Sequence, residues 1–216
     1  MNLNKKMSTR LLIFNVLLIL GFSLFGPDEK SLGKNVKLVY LHGAWVLAAE
    51  IAFVLAAVFA LAGLILFFFG KRDVEIKTLE WSQALGLTGL IYWITYLPLS
   101  LLAMETNWNG LFLAEPRFRL ALTFALVGVL LQAGLWIMDQ KILTAIANIA
   151  FIIVLRVVFA NAANIMHPPP SPIFNSGNWL IISFFVALIT LTMTSAILVS
   201  VLIKTTLFGK RPPLKQ

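Results

Sequence analysis

Long apolar runs alternate with short polar breaks along the whole chain. The runs lie near residues 9–26, 40–69, 82–103, 118–138, 142–164 and 178–203. A helix crosses the hydrocarbon of a bilayer with roughly 20 such residues, so the pattern predicts six transmembrane helices. The breaks are Gly26 to Lys37, Gly70 to Glu80, Glu105 to Arg117, Met138 to Lys141 and His167 to Asn178. The second run is long enough that its helix should tilt or project beyond the lipid. There is no internal repeat and no separate soluble segment. The expected architecture is therefore an all-α, polytopic membrane protein, one domain over residues 1–216. The stretch from Asn2 to Phe25 has Lys5, Lys6 and Arg10 ahead of its apolar run, as a signal peptide does. No small-x-small cleavage site precedes Gly26-Pro27-Asp28, so it reads as a retained first span.

Composition supports this class. The chain is 60% hydrophobic and 12% charged, with a mean hydropathy of +0.92; a soluble domain carries about 25% charged residues. The net charge of +8 would point to nucleic acid in a soluble protein. Here the basic residues flank apolar spans, which makes them topology signals and predicts no nucleic-acid partner. Eleven lysines and arginines (Lys5, Lys6, Arg10, Lys71, Arg72, Lys77, Lys141, Lys204, Lys210, Arg211, Lys215) fall on one side. Five (Lys30, Lys34, Lys37, Arg117, Arg119) fall on the other, and Arg156 lies within the fifth span. The richer side is expected to be cytoplasmic, with both termini inside, in a multi-pass protein of the cytoplasmic (inner) membrane. The absence of cysteine excludes disulfides, iron–sulfur clusters, thiolate zinc sites and covalent haem attachment. No phosphate loop, nucleophile triad or zinc spacing is present, so bond-making catalysis is not expected.

The chain has two histidines, His42 and His167, and the topology puts both at the outer surface. They stand in Tyr40-Leu41-His42-Gly43-Ala44-Trp45 and in Asn164-Ile165-Met166-His167-Pro168-Pro169-Pro170. Two imidazoles brought together there would grip one metal ion from opposite sides. In an apolar setting without cysteine, the metal such a pair fits best is haem iron. A plainer reading stays open beside it: His42 and Trp45 as interfacial anchors, and His167 as a helix stop at a favourable dipole end. The outer loop from Met104 to Arg119 interleaves Trp108, Leu111, Phe112 and Phe118 with polar groups. It would lie flat at the interface, or form a platform under a flat ligand with Arg117 or Arg119 pairing with a carboxylate.

Polar residues within the spans are the other candidates. Glu50 falls two turns below His42, and Arg156 lies in the fifth span. An ionisable group there costs a few kcal/mol or more, so the two are expected to pair or face a cavity. Asn161 with Asn164, and Gln83, Gln132 and Asn148, are expected to bond across helices.

The layout resembles the haem-handling membrane proteins of cytochrome c assembly, the CcmC type. The resemblance rests on six spans, Tyr40 to Trp45, Trp108 to Arg119, and Asn164 to Pro168. In that family two outer histidines ligate haem iron, and a tryptophan-rich segment ending in an Asp-x-Arg-like element contacts the porphyrin. The resemblance implies His42 and His167 as axial ligands of a non-covalent haem b. It implies Trp45, Trp108 and Phe112 around the porphyrin, and Arg117 facing a propionate. Glu115-Pro116-Arg117 stands where the family has Asp-x-Arg, and Trp108 stands with Phe112 and Phe118 where the family has several tryptophans. The implied partners are haem, the lipid bilayer, and other membrane subunits or a haem chaperone. Two alternatives use the same frame: a bis-histidine redox subunit linked to quinone, and a structural subunit that has lost its haem.

Overall fold

The computed structural model describes residues 5–163 and 173–209. Asn164 and His167 lie outside the described residues. Six helices account for nearly all of the described chain: α1 (Lys5–Leu24), α2 (Val36–Phe68), α3 (Arg72–Trp108), α4 (Pro116–Met138), α5 (Lys141–Ala160) and α6 (Trp179–Phe208). All six are long and apolar enough to cross a membrane. Among the described residues there is no strand, only an isolated bridge between Glu29 and Gly33. Helices suit this composition because each satisfies its own backbone hydrogen bonds where lipid supplies none.

The helix limits differ from the expected spans where polar residues remain helical. Residues 70–80 were expected to be a loop, but α3 begins at Arg72, leaving a short turn between α2 and α3. Asp73 and Glu75 occupy the first turn of α3, where the helix dipole favours negative charge. At its other end α3 runs on to Trp108, past Pro98. At 37 residues and about 1.5 Å per residue, α3 exceeds the roughly 30 Å of hydrocarbon. Helix α5 stops at Ala160 rather than at residue 164. Asn161 follows it and bonds back to the Val157 carbonyl at 2.7 Å instead of across to another helix.

Helix α2 packs against α1, α3, α5 and α6, most extensively against α3. Its buried alanines recur every fourth residue, at Ala44, Ala48, Ala52, Ala56 and Ala60. Small residues at this spacing let helices approach closely in lipid, where apolar burial gives little net drive to associate. Close approach also explains Gly89 of α3: a Cβ there would lie 2.6 Å from the Phe53 ring of α2. Phe53, Trp93, Phe124 and Phe151 form an aromatic core between α2, α3, α4 and α5.

Polar side chains tie the helices across this core. Thr88 and Ser200 are hydrogen-bonded at 2.8 Å, and Tyr92 bonds Ser195, joining α3 to α6. Asn148 of α5 donates to Ser82 Oγ at 3.0 Å and accepts from Gln132 of α4 at 3.1 Å. Three helices thus meet at one amide, as the sequence led one to expect for Gln132 and Asn148. Gln83 is not part of this network. Gly86 makes room for it, since a Cβ at that position would lie 2.8 Å from Asn148 Oδ1.

Replacing Asn148 with Leu should lower stability by about 0.6–1.7 kcal/mol, the range for interhelical hydrogen bonds in membranes. Gly89→Leu should cost about 1–3 kcal/mol, because the added side chain must displace the Phe53 ring. Thermal unfolding in detergent, followed by helicity, tests both; unchanged midpoints would show that neither contact matters.

Candidate functional site

At the end of the bundle where α2 begins and α3 and α5 finish lies a cavity of about 470 Å³. Two helix stripes form its long walls. On α2 the stripe is Val39, His42, Val46 and Glu50, spaced three, four and four residues apart. On α3 it is Trp93, Tyr96, Ser100, Ala103 and Asn107, again at helical spacing. Residues three or four apart share a helix face, so each wall follows from the primary spacing once the two faces meet. The first turn of α4 contributes Arg117 and Phe118, and the last turns of α5 contribute Arg156, Phe159 and Ala160. His42 and Glu50 are eight residues apart, so the α2 wall is about 12 Å deep between them.

Local rules hold the rim. Asn109 takes the left-handed conformation that ends α3. Glu115 caps α4, its Oε2 accepting from the Phe118 N–H at 2.6 Å, and Pro116 fills the first helical position. Asn35 Nδ2 donates to the Thr106 carbonyl at 2.7 Å, clasping the start of α2 to the end of α3.

The cavity mixes aromatic surface with both signs of charge. The His42 ring meets Tyr96 edge-on, with centroids 5.5 Å apart. Trp93 lies edge-on to Tyr96 at 5.0 Å and to Phe159 at 5.6 Å, its indole N–H donating to the Ala121 carbonyl. Deeper in, Arg156 donates to Glu50 Oε2 at 2.9 Å. The pairing foreseen from their depths in the sequence is therefore formed, and both partners also line the cavity. The Arg156 side chain remains 61% exposed, so the ion pair does not enclose it. Glu115 is buried, and its Oε1 has no hydrogen-bond partner among the described residues.

The sequence-derived candidates separate on this geometry. His42, Trp108 and Arg117 line the cavity together. Trp45 does not: its ring lies 4.9 Å from that of Tyr92 on α3, and its indole N–H donates to Thr95 Oγ1 at 2.9 Å. His42 and Trp45 stand about 60° apart around α2, and the contacts with Tyr92 and Thr95 hold the Trp45 ring outside the cavity. Phe112 also lies outside the lining; it packs edge-on against Trp108 at 5.9 Å and is partly exposed. Phe118 takes the inward place instead, while Arg119 is exposed and bonds the Leu113 carbonyl. His167 lies outside the described residues. The sequence reading missed Trp93, Tyr96, Asn107 and Phe159. Asn107 was hidden because Glu105 to Arg117 was expected to be a loop, whereas α3 runs on to Trp108; Trp93, Tyr96 and Phe159 lay in expected spans with nothing to show which way they face.

Chemically, the site offers one imidazole, two guanidiniums, two carboxylates and a mostly aromatic wall. Among the described residues, no three His, Asp or Glu side chains converge to hold a bare metal ion. A single imidazole suits a metal that arrives already chelated. The volume falls in the usual range of small-molecule pockets, about 300–1,000 Å³. No protein-family model, curated protein or solved structure matches this chain.

The Glu50–Arg156 pair should behave as a unit. Glu50→Gln and Arg156→Met should each destabilise more than the double variant does, with a coupling of about 0.5–3 kcal/mol. Additive effects in a thermal-unfolding cycle would mean that the pair contributes no mutual stabilisation.

Proposed function

We propose that this protein binds haem at the outer face of the cytoplasmic membrane and holds it for transfer to a partner. On this reading it is a divergent relative of the haem-handling proteins of cytochrome c assembly. The observation that carries it is the convergence of His42 from one segment with Trp108 and Arg117 from another on one aromatic cavity. The donor set fits the group. Haem b presents a flat apolar ring, an iron that takes axial nitrogen ligands, and two carboxylates.

His42 would be one axial ligand, with His167 as the other. Trp93, Tyr96 and Trp108 would give the apolar contact. Arg117 would pair with one propionate, and Arg156, which its ion pair does not enclose, would serve a second. The ion pair with Glu50 lowers the cost of placing the Arg156 charge among apolar helices before any ligand binds. The protein would thus contribute binding, orientation and a route of release rather than bond-making chemistry. The same reading places both termini in the cytoplasm.

Absorption spectra of the purified full chain with added haem test the binding. Wild type should give a six-coordinate spectrum. His42→Ala and His167→Ala should each alter it and weaken binding by about tenfold or more, the equivalent of about 1.4 kcal/mol. No spectral change on adding haem to the wild type would sink the reading. Haem that is retained without exchange would instead favour an electron-carrying subunit.

Topology has its own test, made clean by the absence of native cysteine. In intact cells a membrane-impermeant maleimide should label Ser31→Cys, and should label Gln140→Cys only after permeabilisation. The reverse pattern would invert the orientation and move the cavity to the cytoplasmic face.

A further inference from the structure

The opposite end of the bundle carries a second, differently built site. A groove of about 160 Å³ runs between α2, α3 and α6. Leu55 and Phe59 of α2, Trp81 and Leu85 of α3, and Met193 and Ile197 of α6 line it. It is open to the outside of the bundle, since Leu55 and Ile197 are exposed. Its surface is almost wholly apolar until its end, where the chemistry changes abruptly.

On α6 the lining residues Met193, Ile197 and Ser200 follow helical spacing, and the next position on that stripe is Lys204. The Lys204 ammonium lies 5.1 Å from the centroid of the Trp81 ring, which itself lines the groove. Glu80, beside Trp81, is shared between two cations: its Oε1 is 3.3 Å from Lys141 Nζ and its Oε2 is 3.8 Å from Lys204 Nζ. Two positive charges against one negative leave an excess of one at the mouth. Both lysines are only partly exposed, which weakens screening by water. From Met193 to Lys204 is eleven residues, or about 16 Å of helix. One leaflet of hydrocarbon is about half of 30 Å thick. The groove and its charged end are therefore spaced like the tail and headgroup of one lipid.

We propose that this groove is a specific site for an anionic phospholipid of the adjacent leaflet. One acyl chain lies against Phe59, Leu85 and Ile197, and the phosphate is held by Lys204 and Lys141 over the Trp81 ring. Basic pockets between membrane helices bind acidic headgroups in this manner. The excess positive charge selects the anionic headgroup over a zwitterionic one, and the groove distinguishes a lipid from free phosphate. The bound lipid would seal α2, α3 and α6 at the end away from the cavity.

Trp81 supplies the readout. The full chain is reconstituted in phosphatidylcholine vesicles containing a minor fraction of brominated phosphatidylglycerol or, in parallel, brominated phosphatidylcholine. The Trp81 contribution is the difference from Trp81→Phe. Brominated phosphatidylglycerol should quench it as though enriched about fivefold over brominated phosphatidylcholine, the effect of one lysine at an anionic surface. Lys204→Gln should abolish that preference, and Lys204→Arg should keep it. Ile197→Phe, which fills an exposed groove position without touching the core, should reduce quenching by both lipids. Equal quenching by the two lipids in the wild type would overturn the proposal, as would a preference that survives Lys204→Gln. Loss of the preference on adding soluble glycerol phosphate would reassign the lysines to free phosphate, and would equally overturn it.

Discussion

Helix α2 stands at the centre of the bundle, against α1, α3, α5 and α6, and lipid imposes a constraint on such a helix. Its neighbours gain little by leaving the acyl chains, so they associate only where backbones approach closely or polar groups bond. The alanines from Ala44 to Ala60 meet the first condition, and Gly89 opposite Phe53 extends it. The bonds of Asn148, Thr88 and Tyr92 meet the second across α3, α4, α5 and α6. Everything functional rests on this frame. The stripe His42, Val46 and Glu50 lies on the side of α2 opposite Ala44, Ala48 and Ala52, because two residues of offset turn a helix by about 200°. A helix that packs closely on one side can therefore present polar groups to a cavity on the other.

The two ends of the bundle treat charge differently. At the cavity end, Glu50 and Arg156 pair within apolar helices, while Glu115 is buried as a cap on α4. Such groups are costly in a membrane and persist where they meet a partner, a cavity or a ligand. At the other end, Glu80 draws Lys141 of α5 and Lys204 of α6 onto α3. Those lysines stand near helix ends, where long basic side chains can lay their stems along apolar surface. The aromatic rings differ correspondingly. Trp93 is enclosed and donates its N–H inside the bundle, whereas Trp81 lies under Lys204 beside an open groove.

Much of the cavity was legible one residue at a time. His42, Trp108 and Arg117 stood out because an imidazole, an indole and a guanidinium fall in loops or helix ends expected on the same side, although each also serves as an ordinary interfacial anchor. Glu50 and Arg156 stood out because their charges violate the surrounding hydropathy. Trp45 and Phe112 carried the same local signals yet face elsewhere. Trp45 found a hydrogen-bond acceptor in Thr95, and Phe112 gave its place to Phe118 once Glu115 and Pro116 had set the first turn of α4. Tyr96, Asn107 and Phe159 gave no such signal, since nothing in a helical aromatic or amide says whether it faces a partner, lipid or a cavity.

What the sequence determined by itself is the set of helices and their alternation. Hydropathy is a property of consecutive residues, and lipid leaves helices as the way for these runs to satisfy their backbones. It also determined that Glu50 and Arg156 needed company. The tertiary structure alone decided which helix faces meet, and with them the cavity walls, the three-helix junction at Asn148 and the apolar groove that ends at Lys204. Facing depends on rotation about each helix axis. These helices have apolar side chains nearly all round, so hydrophobicity does not choose the rotation. Close fits at alanine and glycine, and a few buried hydrogen bonds, choose it instead.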